Sequence, residues 1–546
     1  MTNKKDKIIK LDAVVVGAGF SGLYMLYRLR EAGFSTRVFE AADGVGGVWH
    51  KNRYPGARCD NESIDYNFTF SEELFKEWNW SHKFSEQSEI LDYLNYVADK
   101  FDLRRDIQLN TRITAAHYDE EINRWNIQTD EGSTLSAKYF ISGAGCLSAA
   151  NIPKFKGLDS FDGEWYHTGN WPKEKVNFKG KRVGVIGTGS TGVQLIPAIA
   201  EEVDHLTVFQ RTPQYSVPAR NHPYDPEYLK QVKDNFSEFK RKRRYSFGGF
   251  PNDVEARPSA LKDTPEEREK LYEAAWQKGA VSSFFLETYE DLTVNEEANE
   301  TLAAFIRKKI REIVKDPELA EKLMPTYYYG TKRPIQDTNY YETYNRENVS
   351  LVDVKAKPIV EITPKGIRTT DGEYELDIIV FATGYDAMTG SLFKIDIRGK
   401  DGITLKEKWE DGEQVKTYLG IATSGFPNMF MITGPESPSV LSNVPTSIEQ
   451  HVEWISDCIE YLRENEMNIF EAKEEAEEEW SKHCREVAEA TLFTKTDSWY
   501  LGANVAGKPR RFLIYLGGVG PYREKCSEVA AKGYEGFSLR SSLKKA

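Results

Sequence analysis

Six glycines form two short loops whose spacing suits the binding of phosphate groups. They follow a G-x-G-x-x-G pattern, as Gly17, Gly19 and Gly22 in the first loop and Gly187, Gly189 and Gly192 in the second. Glycines at this spacing permit a tight turn and a close backbone approach to a pyrophosphate, whose charge the following helix N-terminus favours. One such loop is weak evidence, but two loops, each between an apolar strand and a helix, predict two dinucleotide sites.

The residue that ends the next strand distinguishes the two sites. In the first unit that strand ends at Glu40. A carboxylate there can accept hydrogen bonds from ribose hydroxyls but repels a 2′-phosphate, which suits the adenosine half of FAD, or NAD. In the second unit Arg211 and Thr212 take this place, and an arginine beside a hydroxyl suits the 2′-phosphate of NADPH. We therefore predict FAD in the first unit and NADPH in the second, with a surface arginine that binds no ligand as the alternative for Arg211.

These loops need strands and helices that hold them in place. Residues 14–40 and 182–211 each read as strand, glycine turn, helix and strand, which predicts two βαβ units. Between Tyr224 and Pro325 the sequence becomes rich in Glu, Lys and Arg at helical spacing, and strand patterns resume after Thr331. The sequence thus predicts an α/β protein with two Rossmann-like dinucleotide-binding domains and a helical insertion in the second. Further strands are predicted at 139–141, 378–382 and 429–432.

The predicted division of the chain follows these changes of pattern. A chain of 546 residues is too long for one hydrophobic core, so several domains are expected. Two charged runs, Lys240–Arg244 and Glu471–Trp480, are interpreted as solvated helix faces. The predicted segments are 1–146 and 382–546 for the two parts of the FAD-binding domain, 147–222 and 330–381 for the two parts of the NADPH-binding domain, and 223–329 for the helical insertion.

Charge and hydropathy argue against two classes of partner. The net charge of -13 would repel a phosphate backbone, so general nucleic-acid binding is not expected. No apolar run approaches the roughly 18 residues that span a bilayer. The basic start, Met1–Lys10, is followed by too short an apolar stretch for a secretory signal, so a cytoplasmic protein is expected.

The cysteines argue against a disulfide framework, a metal site and one class of flavoenzyme. They are Cys59, Cys146, Cys458, Cys484 and Cys526, with no pair two residues apart. This scatter fits neither a disulfide-stabilised fold nor a zinc site, and no metal is predicted. Flavin disulfide reductases use two neighbouring cysteines beside the flavin, and this chain has none.

A segment just before the second loop carries a family resemblance. Residues 161–172 match the fingerprint F-x-G-x-x-x-H-x-x-x-W-P of type I Baeyer–Villiger monooxygenases at every fixed position. The chain resembles this family from about residue 12 to 535, and is most similar to its phenylacetone and cyclohexanone monooxygenases. Further matching segments are Gly46–Trp49, Arg53–Asp60, Gly330–Pro334, Ala382–Asp386 and Trp499–Lys508.

The resemblance implies an enzyme that uses FAD, NADPH and dioxygen to convert a ketone to an ester or lactone through a flavin peroxide. It implies that Arg333 stabilises the peroxide and the adduct and that Asp60 orients Arg333. An arginine suits this role because it stays charged at any working pH. A structural ion pair is the alternative, and for Asp60 alone the two interpretations are equally weighted.

Other roles implied by the resemblance concern the cofactors. Lys332 is expected to join Arg211 at the 2′-phosphate, and Trp499 to contact the nicotinamide ribose when a mobile loop closes. Trp49 and Tyr66 are expected beside the flavin, with ordinary core packing as the alternative for all three aromatic residues. His167, in the fingerprint, is interpreted as a conformational tether rather than a catalytic base. The loop Ser439–Pro445 ends differently from that of the phenylacetone enzyme, so the preferred ketone is not predicted.

Two other functions stay open at this point. A flavin-dependent oxygenase of amines or sulfides would share the fold and the cofactors, and ketone-oxidising relatives also oxidise sulfides. A non-catalytic flavoprotein would need neither a second loop nor Arg333. The expected partners are therefore a small ketone and dioxygen, and a monomer is compatible with the sequence.

Overall fold

The computed structural model describes residues 8–251 and 254–541; the first residues of the basic start, 1–7, lie outside these ranges. The strands are β1 Ile9–Val16, β2 Thr36–Phe39, β3 Ile107–Gln108, β4 Ile113–Asp119, β5 Arg124–Thr129, β6 Thr134–Ser142, β7 Glu164–His167, β8 Arg182–Ile186, β9 His205–Gln210, β10 Ser216–Pro218, β11 Ile335–Asp337, β12 Val349–Asp353, β13 Ile359–Thr363, β14 Gly366–Thr369, β15 Gly372–Glu375, β16 Ile378–Phe381, β17 Asp396–Arg398, β18 Met429–Met431, β19 Ile469–Ala472 and β20 Phe537–Arg540.

Among the described residues, five helices precede β10 and six more lie between β10 and β11. The helices are α1 Phe20–Glu31, α2 Val48–Lys51, α3 Glu72–Glu77, α4 Gln87–Lys100, α5 Ser190–Ile199, α6 Pro226–Asp234, α7 Phe236–Tyr245, α8 Pro265–Lys278, α9 Val281–Leu286, α10 Glu296–Ile313, α11 Pro317–Leu323, α12 Tyr340–Thr343, α13 Leu405–Lys408, α14 Val444–Glu464, α15 Glu474–Glu489 and α16 Val519–Ala531.

The first sheet has the strand order β17-β4-β5-β6-β1-β2-β3, and β18 pairs with the end of β6. Its centre is parallel: β1 lies between β2 and β6, and Val15 is in register with Val38 and Ile141. Val14 and Val15 are completely buried although they point to opposite faces. Val15 packs into the core that includes residues of α1, α4 and α14, and Val14 packs into another core that includes residues 387–431. A sheet covered on both faces explains the continuous valine run before the first glycine loop.

The second sheet has the order β12-β9-β8-β16-β7, and its strand pairs are all parallel. The unit β8–α5–β9 repeats the arrangement of β1–α1–β2, which confirms the predicted α/β fold with two Rossmann-like sheets. Smaller sheets join β10 with β11, β13 with β14 and β15, and β19 with β20. In the residues that the structure describes, no helix is both long and apolar enough to cross a membrane.

The helical insertion lies between β10 and β11, and it is shared by two hydrophobic cores. Leu229, Phe236 and Phe239 of α6 and α7 pack into the core of the first sheet. Tyr272 of α8 and Leu302 of α10 pack instead into the core of the second sheet. The insertion therefore joins the two dinucleotide folds rather than extending only one of them.

The two charged runs differ from their interpretation as solvated faces. Arg243, in the middle of the basic run on α7, is completely buried, so that interpretation is wrong at this position. In the acidic run, Glu474 and Glu475 are exposed as expected, but Glu477 and Trp480 are buried. The basic run lies on α7, whose buried face includes Arg243. The acidic run begins on β19 with Glu471 and Ala472, so a helix is wrong for these two residues, and it continues on α15, whose buried face includes Glu477.

Candidate active site

The first glycine loop connects β1 to α1 in a turn that only glycine permits. Gly17 has a φ of +94°, and a Cβ built there would lie 2.7 Å from the carbonyl oxygen of Gly143. A Cβ on Gly22 would lie 1.7 Å from the carbonyl oxygen of Gly17, so α1 can approach the strand only without a side chain. Both glycines are therefore fixed by the packing of the turn itself.

The second loop repeats this geometry and leaves one position open. A Cβ on Gly187 would lie 2.5 Å from the oxygen of Ala382, and one on Gly192 would lie 2.3 Å from the oxygen of Gly187. A Cβ on Gly189, in contrast, would meet no atom within 4 Å. The backbone of Gly189 faces free space at the N-terminus of α5, which is where a pyrophosphate would approach.

Glu40 is fixed at the entrance of the first loop. It directly follows β2 and is buried, with 6% of its surface exposed. Its two carboxylate oxygens accept hydrogen bonds from the backbone N–H groups of Ala18 and Ala42, both at 2.8 Å. These bonds hold the carboxylate beside the glycine turn, with further lone pairs available for ribose hydroxyls. The residues present thus fit the adenosine half of FAD.

Two cations come together at the second loop. Arg211 follows β9 and is exposed, and the backbone oxygen of its neighbour Thr212 accepts a 3.1 Å hydrogen bond from the hydroxyl of Thr188. Burial lowers the pKa of Lys332, and the positive charge of Arg211 lowers it further. A bound phosphate would relieve this repulsion between like charges. The structure therefore brings Arg211, Thr212 and Lys332 to the same loop, and this cluster fits the 2′-phosphate of NADPH.

Arg333 and Asp60 form a bidentate ion pair between segments far apart in the chain. The Nε and Nη2 atoms of Arg333 each donate to the Asp60 carboxylate at 2.9 Å. Nη1 donates to the backbone oxygen of Val440 at 2.6 Å. Burial acts to lower the pKa of Arg333, but the charge and hydrogen bonds of Asp60 outweigh it and raise the pKa above its ordinary value. The guanidinium is therefore a permanent positive charge with a fixed orientation.

Two aromatic residues lie near this pair: Tyr66 is within electrostatic reach of Asp60, and Trp49 packs against Tyr66. The Trp49 indole N–H donates to the hydroxyl of Tyr66 at 3.2 Å, and the two rings meet edge to face. Tyr66 also contacts the ring of Phe20, the first residue of α1. Burial raises the pKa of Tyr66 well above its ordinary value, and it also raises the pKa of the nearby Cys59 thiol. These groups are neutral at working pH, so Arg333 and Asp60 supply the charge at this end of the first loop.

The segment around Trp499 lies against the residues that directly precede Arg333 in the chain. The hydroxyl of Thr331 donates to that of Thr496 at 2.8 Å, and the Lys332 ammonium donates to the backbone oxygen of Asp497. Trp499 is partly exposed and begins a short 3₁₀ turn, which ends at Gly502 with a φ of +79°. The structure thus places the residues that lead into Trp499 beside Thr331 and Lys332.

Three residues of the site were not identified from the sequence. Val440 contributes only its backbone oxygen, which no side-chain pattern reveals. Tyr500 is buried within electrostatic reach of Arg333, and its place next to Trp499 in a matched segment was the available signal. Gln194 of α5 accepts from the hydroxyl of Tyr54 at 2.7 Å and donates to the oxygen of Arg58 at 3.1 Å. Gln194 therefore joins the second fold to the segment that ends in Asp60.

His167 lies where the chain passes between the two sheets. Its Nδ1 accepts from the N–H of Gly169 at 3.0 Å, and its Nε2 lies 3.3 Å from the hydroxyl of Thr383. The same hydroxyl donates to the backbone oxygen of Asn151 at 2.6 Å. Burial lowers the pKa of His167, so its ring is neutral at working pH. These contacts join the segment that enters the second sheet to the one that leaves it.

Comparison with known proteins shows the family. The Flavin-binding monooxygenase-like family (FMO-like) matches residues 10–225. The chain is 47% identical over 534 residues to a Baeyer–Villiger monooxygenase of Pseudooceanicola batsensis, with 97% of each chain covered. It is 45% identical over 535 residues to a phenazine N-monooxygenase of Lysobacter antibioticus, also with 97% of each chain covered.

The crystal structure of cyclohexanone monooxygenase from Rhodococcus sp. Phi1 bound to NADP+ has 47% sequence identity and a TM-score of 0.95. The alignment covers 98% of this chain and 100% of that one. Together with the paired glycine loops and the partly buried Arg333–Asp60 pair, these similarities agree on one assignment. The chain belongs to the Baeyer–Villiger monooxygenases, a family of FAD- and NADPH-dependent flavoenzymes.

Proposed function

We propose that this protein inserts one oxygen atom of dioxygen beside the carbonyl of small ketones, and that Arg333 is its catalytic cation. The observation that carries the proposal is the bidentate pair of Arg333 with Asp60, adjoining the wall formed by Trp49 and Tyr66. When bound, NADPH supplies the reducing equivalents and FAD supplies the chemistry that activates dioxygen. The product of such a reaction is an ester or a lactone.

The residues of the two loops would hold these cofactors. Gly17 and its loop would accept the pyrophosphate of FAD, with Glu40 on the ribose. The loop of Gly187 would accept the pyrophosphate of NADPH, with Arg211, Thr212 and Lys332 on the 2′-phosphate. We propose further that Trp499 contacts the nicotinamide side of NADPH, since its segment is bonded to the backbone next to Lys332.

Arg333 would act on negative charge that develops on oxygen during the reaction. A preorganised donor aimed at such charge contributes about 10²- to 10³-fold to the rate in other enzymes. Because Asp60 keeps the guanidinium protonated and oriented, Arg333 can provide this stabilisation without a proton transfer of its own. Asp60 is then a positioning residue, and the Val440 carbonyl is the second anchor of the same guanidinium.

Three finer predictions remain part of the proposal. The domain boundaries stay a prediction, supported by the presence of β17 and β18 in the first sheet and of β16 in the second. His167 is proposed as a tether, because it contacts both segments that connect the sheets. A cytoplasmic location, with no nucleic-acid partner, is proposed from the sequence alone, and a monomer is compatible with that sequence.

A second candidate function is the oxygenation of nitrogen or sulfur. It is favoured by the 45% identity to a phenazine N-monooxygenase. That similarity covers the same length of chain as the similarity to the Baeyer–Villiger enzyme. The named relatives are catalysts, which argues against the third possibility, a flavoprotein without activity.

Product identification would test these functions. The purified enzyme with NADPH and dioxygen is incubated with cyclic, linear and aryl ketones, an aryl sulfide and an aromatic N-heterocycle. Esters or lactones are expected as main products, and sulfoxide as a side product. N-oxide formation without any ester would assign the enzyme to the second class.

The Arg333→Ala variant tests the catalytic cation. We expect retained NADPH oxidation and an ester yield at least about 100-fold lower. Arg182→Ala, which removes an arginine paired with Asp377 away from the loops, is the matched control. Near-parental ester formation by Arg333→Ala would exclude the proposed role.

A further inference from the structure

A completely buried arginine connects the helical insertion to both sides of the site. Arg243 lies on α7, and its side chain is 1% exposed although its neighbours in the basic run reach solvent. It faces the same side of α7 as Phe236 and Phe239, which belong to the core of the first sheet. A buried guanidinium needs partners for its five N–H donors, and here those partners come from two distant segments.

The first segment is the short stretch that contains Tyr66. The Nη2 atom of Arg243 donates to the backbone oxygen of Asn67 at 2.8 Å, and Nη1 donates to the Asn67 side-chain oxygen at 3.2 Å. One arginine thus holds both the backbone and the side chain of the residue that follows Tyr66. The position of the Tyr66 ring beside Trp49 depends on this backbone.

The second segment is the first two turns of α14. The Nε atom of Arg243 donates to the Thr446 hydroxyl at 2.6 Å, and Nη2 lies 3.7 Å from the carboxylate of Glu449. Glu449 is also buried, and its carboxylate accepts from the N–H and the hydroxyl of Thr69, the latter at 2.6 Å. The buried charge pair therefore joins α7, α14 and the stretch 67–69.

The residues that follow α7 strengthen the same connection. The N–H of Asn443 donates to the oxygen of Gly248 at 2.9 Å, and its side-chain amide donates to the oxygens of Gly249 at 3.0 Å and of Asp65 at 2.9 Å. Asn443 is completely buried and stands three residues after Val440, whose carbonyl receives Arg333. The insertion thus touches the loop that anchors Arg333 and the stretch that carries Tyr66.

We propose that Arg243 is a positioning residue that sets the distance between Arg333 and the aromatic wall beside the flavin. The proposal rests on the function proposed above. Arg243 touches neither substrate nor cofactor; it acts through Asn67 on Tyr66 and through α14 on the Val440 carbonyl. A misplacement of about 1 Å in such an arrangement can lower a rate by as much as 100-fold.

This role requires arginine and not merely a buried charge. The planar fork of a guanidinium can serve Asn67, Thr446 and Glu449 at once, whereas the ammonium of a lysine is a single point with three donors. Removing Arg243 alone would leave Glu449 as an unpaired buried charge, which can prevent folding. The double variant Arg243→Met/Glu449→Gln avoids that charge and keeps an acceptor for Thr69.

The test uses the FAD-loaded full-length enzyme as Arg243→Met, Arg243→Met/Glu449→Gln and the control Arg241→Met. Arg241 lies on the same helix, is 62% exposed and pairs only with Glu238 among the described residues. Rates are expressed per bound FAD, so that a lower stability or a lower FAD occupancy of a variant does not change the measured rate. The readouts are hydrogen peroxide released from NADPH without ketone, and ester formed per NADPH with ketone.

We expect the Arg243 variants to release hydrogen peroxide at least about threefold faster and to form at least about threefold less ester per NADPH. Arg241→Met should equal the parental enzyme in both assays. Parental values of both readouts in the folded double variant would overturn the proposal. Failure of the proposed function has a different signature, since the parental enzyme would then form no ester while the peroxide readout of the variants still responds.

Discussion

Replacing Asp60 with asparagine would remove the charge that orients Arg333 and leave the shape of the side chain unchanged. The pair has two hydrogen bonds of 2.9 Å and a shortest N–O distance of 2.8 Å. Asparagine can keep one of these bonds through its amide oxygen, but its NH2 group is a donor and cannot accept the second. The guanidinium would then be held mainly by the carbonyl of Val440.

The size of the effect follows from the distance and the exposure of the pair. Unit charges about 4 Å apart attract by roughly 4 kcal/mol at an effective dielectric constant of about 20. The side chains of Arg333 and Asp60 are 28% and 23% exposed, and solvent screening reduces the attraction. We take about 2 to 3 kcal/mol as the part that orients Arg333, which corresponds to a rate loss of roughly 30- to 150-fold.

The assay measures ester formation and NADPH oxidation in parallel at saturating ketone. We expect Asp60→Asn to lower ester formation by that factor while NADPH oxidation continues. Asp377→Asn is the matched control, because Asp377 accepts a similar two-point contact from Arg182 where β8 and β16 begin. Ester formation within about twofold of the parental rate in Asp60→Asn would refute the positioning argument, as would an equal loss in the control.

The remaining predictions concern the second loop and one buried acid. Arg211→Ala should raise the KM for NADPH at least about tenfold and leave that for NADH unchanged in initial-rate assays, since only NADPH carries the 2′-phosphate. Gly189→Ala should keep the parental Tm but weaken NADPH binding, whereas Gly192→Ala should lower the Tm because its Cβ would lie 2.3 Å from a carbonyl oxygen; equal Tm values would contradict this. Burial raises the pKa of Glu436 to about 7, so its contribution to stability is present at low pH and is lost as pH rises from about 4.5 through 7. Glu436→Gln should therefore raise the free energy of unfolding above pH 7 by up to roughly 3 kcal/mol, which is measured as a higher Tm, and it should have little effect at pH 4. A Tm shift that is the same at both pH values would contradict the assignment.

Local signals were sufficient to predict the frame of the fold. The valine run before Gly17 predicted an apolar strand, and the structure confirms it as β1, in which Val14 and Val15 are both completely buried. The change to charged residues after Tyr224 predicted helices, and α6 to α11 occupy that part of the chain. These features depend on residues close together in sequence, so the hydrophobic periodicity and the residue types of the turns are enough to predict them.

The failures concern contacts between distant segments. Arg243 was interpreted as solvated because it stands in a run of five basic residues, in which the helical spacing of the buried positions cannot be recognised. The spacing of Phe236, Phe239 and Arg243 places all three on one helix face, so the burial was detectable in principle. The division of the insertion between two cores and the contact of Arg333 with Val440 have no local signal, because each depends on how the two folds pack together.

The strands of the second sheet lie in sequence between strands of the first, and this fixes the order in which the two sheets are completed during translation. The first sheet begins with β1 at residue 9 but needs β17 and β18, which end at residue 431. All strands of the second sheet lie between these points, from β7 to β16. A ribosome that releases the chain from its N-terminus therefore exposes a complete second sheet while the first still lacks two strands. The fold that starts first closes last, and this high contact order predicts slow maturation of the site that lies between them.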